Sequence, residues 1–155
     1  MIQGKERGST MTMATEQRRT PASTEDVVSV YHLYGRQSHA IDSGDAEGWA
    51  ETFTADGTFT SPTYAAPAEG RGELIRFAER FAADCLQRNQ VLRHVVSTVH
   101  VEQVSQYVLK SFGYLQIVGT AAGQPPRLHR MTVIEDDLVR TQTGLRVTAR
   151  RVRPD

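Results

Sequence analysis

Asp42 and His94 are the two residues of this sequence best placed to move protons. Asp42 closes a stretch in which Val27, Val30, Tyr31, Tyr34 and Ile41 recur at helical spacing. Ser38 and Ile41 put it on or beside the face of that helix that must pack. A carboxylate there is costly unless it is paired. His94 opens the first long strand-like run, where a period of two sets His94, Val96, Thr98 and His100 against Arg93, Val95, Ser97 and Val99. If the His94 face turns toward the first helix, the two side chains meet. An aspartate accepting from one ring nitrogen fixes the imidazole tautomer and raises its basicity, leaving the other nitrogen to take and return a substrate proton. On spacing alone, an Asp at a helix end is more often solvated, and a strand His more often surface or satisfied core. The pair is therefore a candidate dyad.

The other reactive types divide by context. Trp49, Phe53, Phe59, Tyr31 and Phe81 read as core, although the same residue types line pockets, and Tyr64 sits in a loop where either role is open. His32, His39 and His100 are expected on the surface. No trio of His and carboxylates has ligand spacing, so no metal and no cofactor is expected. Gly70-Arg71-Gly72 lacks the Lys of a P-loop and reads as a helix start. Cys85, the one cysteine, excludes an internal disulfide and falls on an apolar helical stripe, where it reads as packing. Arg146, Arg150, Arg151 and Arg153 partly alternate with Leu145, Val147 and Ala149, as in a strand with one wet face.

Several elements must position these residues. Residues 1–22 are polar and aperiodic and read as a disordered tail, leaving 23–155 as one domain. Ser23 with Asp26 gives a capping-box signal for a helix running to Ser43, with Gly44 at its C′ position. Asp45 caps a short second helix carrying Trp49 and Phe53, which Asp56-Gly57 ends. Thr58 to Ser61 reads as a short strand and Pro62 to Gly70 as a loop over a pocket mouth. Leu74, Phe77, Ala78, Phe81 and Cys85 mark one face of a third helix. Leu92–Glu102, Tyr107–Val118, Leu128–Thr141 and Leu145–Arg153 are strand-like and joined by short turns, which predicts an antiparallel meander. Helices first and strands afterwards make an α+β domain.

At 155 residues the chain suits a single core, and 18 Lys plus Arg against 18 Asp plus Glu leave no basic field for nucleic acid. No apolar run is long enough to span a bilayer and no secretory signal is visible, so the expectation is a cytoplasmic protein without a membrane partner.

The fragments Ala40-Ile41-Asp42-Ser43-Gly44-Asp45 and Phe53-Thr54-Ala55-Asp56-Gly57 resemble the opening signature of SnoaL-like proteins of the nuclear transport factor 2-like superfamily. Gly70-Arg71-Gly72-Glu73-Leu74 resembles the start of their third helix, Arg93-His94-Val95-Val96-Ser97 their first long strand, and Asp136-Asp137-Leu138-Val139-Arg140 through Gly144 their last hairpin. The resemblance covers almost all of 24–153. It implies a cone-shaped, curved, mixed or antiparallel sheet wrapped around N-terminal helices, with a dimer formed on its outer face. Val108, Phe112, Tyr114 and Val118 are the apolar hint of such a contact.

Members with lyase activity use an Asp on the first helix and a His on this strand, and Asp42 and His94 match those positions. In scytalone dehydratase, likewise, Ser follows the Asp, and a Glu follows the His at the interval that separates His94 from Glu102. Its second His corresponds to His129 or to Met131, depending on one gap. The Tyr before its Asp is Ile41 here, and the Lys or Tyr that related lyases place five residues before the Asp is Gln37. The late Arg of some lyases has Arg150 as a match. The resemblance implies a cofactor-independent dehydratase, cyclase or isomerase acting on a small, largely apolar metabolite, with natural-product biosynthesis as a setting. His129, Glu135 or Tyr64 would supply a second group, and Tyr34, Gln37, Ser38, Trp49, Phe53 and Met131 would line the pocket. Two other readings share the fold: a ligand-binding or assembly subunit without chemistry, and an epoxide-opening enzyme in which Glu135 turns inward as a second carboxylate.

Overall fold

A computed structural model describes residues 20–155. The expected tail lies outside the described residues as far as 19. Its last three residues are tied to the body of the protein: Thr20–Pro21 forms a short strand β1 opposite Gln103 and Glu102, and the Ala22 N–H donates to the Val101 carbonyl.

Helix α1 spans Thr24–Ser43. Ser23 caps it through the expected box, its hydroxyl accepting from the Asp26 N–H while the Asp26 carboxylate accepts from the Ser23 N–H. The last turn closes at Gly44, whose φ of 79° is the left-handed conformation that favours glycine. Asp45 then caps α2, Ala46–Ala50. Phe53 to Gly57, expected to end that helix, instead belongs to strand β2, Phe53–Thr60. The stretch from Phe53 to Thr58 is longer than its partner stretch from Val147 to Ala149, and so it bulges. Gly57 sits where a Cβ would come within 2.9 Å of the Phe53 Cβ, so the bulge closes only over glycine. Part of the expected Pro62–Gly70 loop pairs as well, strand β3 (Ala68–Glu69) lying antiparallel to β2.

Helix α3, Gly70–Gln87, buries Leu74, Phe77 and Ala78. Four long strands follow: β4 Gln90–Gln103, β5 Val108–Ala121, β6 Arg127–Thr141 and β7 Gly144–Pro154. They form the expected antiparallel meander, and β2 joins it parallel to β7, giving a seven-stranded sheet in the order β1-β4-β5-β6-β7-β2-β3. The result is an α+β fold, a curved and unclosed mixed sheet with the N-terminal helices in its concave side. Val30 and Leu33 of α1 pack there with Leu109, Ile134, Leu138 and Val147. Arg140 of β6 pairs with Asp26 and so fastens the start of α1 to the sheet.

Two bulges reset which residues face inward. In β4 the register shifts between Ser97 and His100, and Thr98 takes a φ of 51°. His94 and Val96 face inward before the shift; after it, Val99 and Val101 pack on the core. His100 therefore leaves the face it was expected to share with His94 and stacks on the Phe112 ring at 6.3 Å. In β7, Val147 pairs with Leu138 but Ala149 with Asp137, which makes Thr148 the extra residue. Arg150, expected on a wet face, is turned inward and buried.

Candidate active site

The end of α1 and the start of β4 bring Asp42 and His94 together. The His94 Nδ1 lies 2.6 Å from the Asp42 Oδ1, and the His94 backbone N–H donates to the same carboxylate at 3.1 Å to Oδ2. Ring and backbone hold one carboxylate, so neither the helix end nor the strand can slide without breaking both contacts. The side chains are 15% and 9% exposed. The Phe81 ring packs on the imidazole with centroids 5.3 Å apart. Nδ1 being committed to Asp42, Nε2 is the nitrogen left for a substrate.

His94 forms part of the wall of a cavity of about 350 Å³. One wall is aromatic: Trp49, Phe59, Phe77 and Tyr64 make successive tilted or edge contacts, Phe59 on Phe77 at 4.6 Å and Tyr64 on Phe77 at 4.8 Å. The opposite wall is the sheet, with Leu92, Val96, Leu115, Ile117 and Val152. Mixed apolar walls with a few convergent polar groups are the usual make-up of a small-molecule site.

The deep end is a buried polar network. The Arg150 Nε donates to the Asp136 Oδ1 at 2.8 Å, and its Nη2 donates to the Asp136 Oδ2 at 2.6 Å and to the Gln37 Oε1 at 2.7 Å. Gln37 in turn donates to the Thr52 hydroxyl, which donates to the Trp49 carbonyl. The Tyr34 hydroxyl meets Ser111 at 2.5 Å, and the guanidinium lies over its ring. Burial, and then the Asp136 charge, push the Tyr34 phenol far above its ordinary value, so it stays protonated. Burial disfavours the Arg150 charge, but Asp136 outweighs this and leaves the guanidinium more basic than usual.

The other expected site residues separate by face. Tyr34, Gln37, Ser38, Trp49 and Arg150 line the cavity, and Tyr64 and His129 stand at its exposed mouth. Burial raises the Tyr64 phenol, with Arg130 pulling the other way. Phe53 does not line the cavity; it is buried behind Trp49, with ring centroids 4.9 Å apart. Met131 falls between Arg130 and Thr132, both on the cavity wall, and so points to the opposite face. Glu135 also points outward, its carboxylate 2.6 Å from the Lys110 Nζ and 3.4 Å from Arg153, which removes the second carboxylate of the epoxide-opening reading. Cys85 is partly exposed on the cavity wall rather than in the core, and burial raises its thiol.

Sequence reasoning missed Asp136, Ser111 and Thr52, which complete the buried network, and Arg130, Arg88 and Thr63 at the mouth. A signal for Asp136 was present in the consecutive Glu135-Asp136-Asp137, since in a strand one of three neighbouring acids must face opposite to the other two. Among the described residues no group of His, Cys, Asp or Glu is arranged to hold a metal ion, and no helix is long and apolar enough to cross a membrane.

A family model described as "SnoaL-like domain" matches residues 22–151. A comparison with curated protein sequences finds no match. Among solved structures the chain is similar to Aln2 from a Streptomyces species, with 26% identity, a TM-score of 0.78, and coverage of 88% of this chain and 95% of that one. ActVI-ORFA from Streptomyces coelicolor is 28% identical, with a TM-score of 0.76 and coverage of 85% and 98%. A Catenulispora acidiphila protein solved in complex with S-DNPA is 26% identical, with a TM-score of 0.74 and coverage of 84% and 93%.

Proposed function

The chain belongs to the SnoaL-like domain family, and from that premise we propose that it is a cofactor-independent acid–base enzyme acting on a small, largely apolar metabolite. The observation that carries this reading is the 2.6 Å contact between the His94 Nδ1 and Asp42 at the wall of the cavity. A carboxylate on one ring nitrogen selects the tautomer whose Nε2 accepts a proton, and it then stabilises the imidazolium that forms. In a dehydration, Nε2 takes the proton from a carbon next to a carbonyl, the carbon–oxygen bond breaks, and the imidazolium returns that proton to the departing hydroxide as water. Cyclisation and isomerisation need the same removal and return at different atoms. Arg150, with Nε and Nη2 fixed by Asp136 and Gln37, offers its remaining nitrogen to an oxygen on which charge develops.

The neighbour in complex with S-DNPA supports small-molecule binding by a protein of this fold, and the Streptomyces neighbours support a setting in natural-product tailoring. The reading is tested by incubating the protein with a panel of small, apolar cyclic β-hydroxyketones and following loss of water by mass spectrometry. His94→Ala should lower the rate by about 10²- to 10⁴-fold while its circular dichroism stays unchanged. Turnover equal to that of the unaltered protein would leave only the binding-subunit reading.

We also infer a dimer through the outer sheet face, where Val95 and Tyr114 are exposed beside Phe112. Sedimentation should give twice the chain mass, falling to one chain in Tyr114→Glu; a single-chain mass for the unaltered protein removes this inference.

A further inference from the structure

One side of the cavity mouth is a flap. Pro62 to Pro67 are all exposed, whereas Ser61 before them and Ala68 after them are buried. Ala68 pairs with Phe59 across the β2–β3 ladder, so the ends of the segment are pinned side by side and everything between them hangs from that stem. Within the segment the backbone closes a turn, the Tyr64 N–H donating to the Ser61 carbonyl at 3.1 Å. A stretch of exposed backbone carrying short side chains at Ala65 and Ala66 belongs to the low-stability end of a fold, where local opening costs least.

A hydrogen bond and a ring contact hold the flap down. The Thr63 hydroxyl accepts from the Arg130 Nη1 at 2.7 Å, and because Arg130 belongs to β6 in the sheet wall, this bond straps the flap across the mouth. Tyr64 stands edge-on to Phe77, with ring centroids 4.8 Å apart. The ring has room on both sides. Ser61, Thr63 and Tyr64 line the cavity, and a second hollow of about 320 Å³ lies behind, bordered by Tyr64 to Ala68 and by Glu73, Arg76 and Arg80 of α3. Phe59, Tyr64 and Phe77 border both spaces. Close packing bars most rings from turning, but a partition with space on either face has somewhere to go.

We propose that Pro62–Pro67 is a gate on the cavity. With the bond between Thr63 and Arg130 made, it is shut; when that bond breaks, the flap turns about the β2–β3 stem and carries the Tyr64 ring away from the mouth into the hollow behind. One hydrogen bond and one edge contact leave the open form populated on the order of a per cent, which suffices for ligands to pass. The closed form keeps water from the imidazole while a proton is held on Nε2. Thr63 and Arg130 are thus latch residues and not partners of the reacting atoms. This rests on the reading of the cavity as a substrate site, and it adds how a ligand reaches that site.

Stopped-flow fluorescence of the neutral, polarity-sensitive dye prodan follows entry and exit in the full-length protein. A latch acts on the path and not in the bound complex, so its loss speeds both directions and leaves their ratio alone. Thr63→Val should raise the entry and exit rates together by about five- to tenfold, as expected for one lost hydrogen bond to a charged group, with the dissociation constant moving by less than about twofold. Arg130→Met should do the same. The double variant should be no faster than either single one, because both remove the same bond. Tyr64→Ala should speed both directions with the latch intact. Entry rates unaltered in Thr63→Val and Arg130→Met overturn the gate and leave the cavity as an open site. A rise in the exit rate alone makes these residues ligand contacts and also overturns it, as do gains that multiply in the double variant. Failure of prodan to bind the unaltered protein removes the small-molecule site, and the gate with it.

Discussion

At the scale of single residues, two charge pairs do different work. His94 of the Asp42–His94 pair lines the cavity, so removal of the pair should be felt in turnover. In Asp42→Asn the amide can present its N–H as easily as its oxygen to the ring, the tautomer is no longer fixed, and the rate should fall toward that of His94→Ala. Stability should fall too, by about 1–3 kcal/mol, because this carboxylate also ties the end of α1 to the start of β4; parallel steady-state kinetics and urea titrations separate the two effects. The Arg150–Asp136 pair is buried within the fold. Breaking it one-sidedly in Asp136→Asn should cost about 3–5 kcal/mol, while the double change Asp136→Leu with Arg150→Met should recover much of that loss. Urea midpoints for the single and double variants check this. The first pair was legible in the sequence because a helix end and a strand start were both identified, and only their meeting had to be supposed. The second was not, because the parity of Arg150 depends on one extra residue, Thr148, and strand alternation has no marker for such an insertion.

At the scale of elements, most helices and strands announce themselves. The capping box at Ser23, the stop at Gly44 and the four-strand meander fall where spacing puts them. Phe53 to Gly57 does not, because Trp49 and Phe53 also fit one helical face, and the parallel partner that draws this segment into the sheet, β7, lies far along the chain. Tertiary pairing outweighs local periodicity there. The bulge in β4 yields a test at the same scale. Thr98 is β-branched, exposed and left-handed, a conformation that disfavours such side chains. Thr98→Gly should therefore be neutral or stabilising by up to about 1 kcal/mol, whereas Thr120→Gly in β5 should destabilise by about that amount. Thermal midpoints of the two variants should move in opposite directions, or only the second should move.

At the scale of the whole molecule, pH should act through the clasp between α1 and the sheet. The Arg140 guanidinium, hydrogen-bonded to Asp26, holds that carboxyl at about 2, below its ordinary 3.8. A depressed carboxyl stabilises the fold above its unfolded value and gives up that contribution as pH falls through the folded one. Stability should therefore drop between about pH 4 and pH 2, and Asp26→Asn should flatten that part of the curve; equal acid sensitivity in both proteins would mean that other carboxyls dominate.

The phase break in β4 divides that strand's work. Before it, Leu92, His94 and Val96 line the cavity, and beyond it Val99 and Val101 join the packed interior with Leu109, Ile134 and Leu138. The sheet thus keeps its furnishings and its foundations on separate lengths of the same strand. On β4, then, a change of bulk at Leu92 or His94 reshapes the cavity while Val99 and Val101 stay with the packed interior, so this scaffold can change its guest there and keep its house.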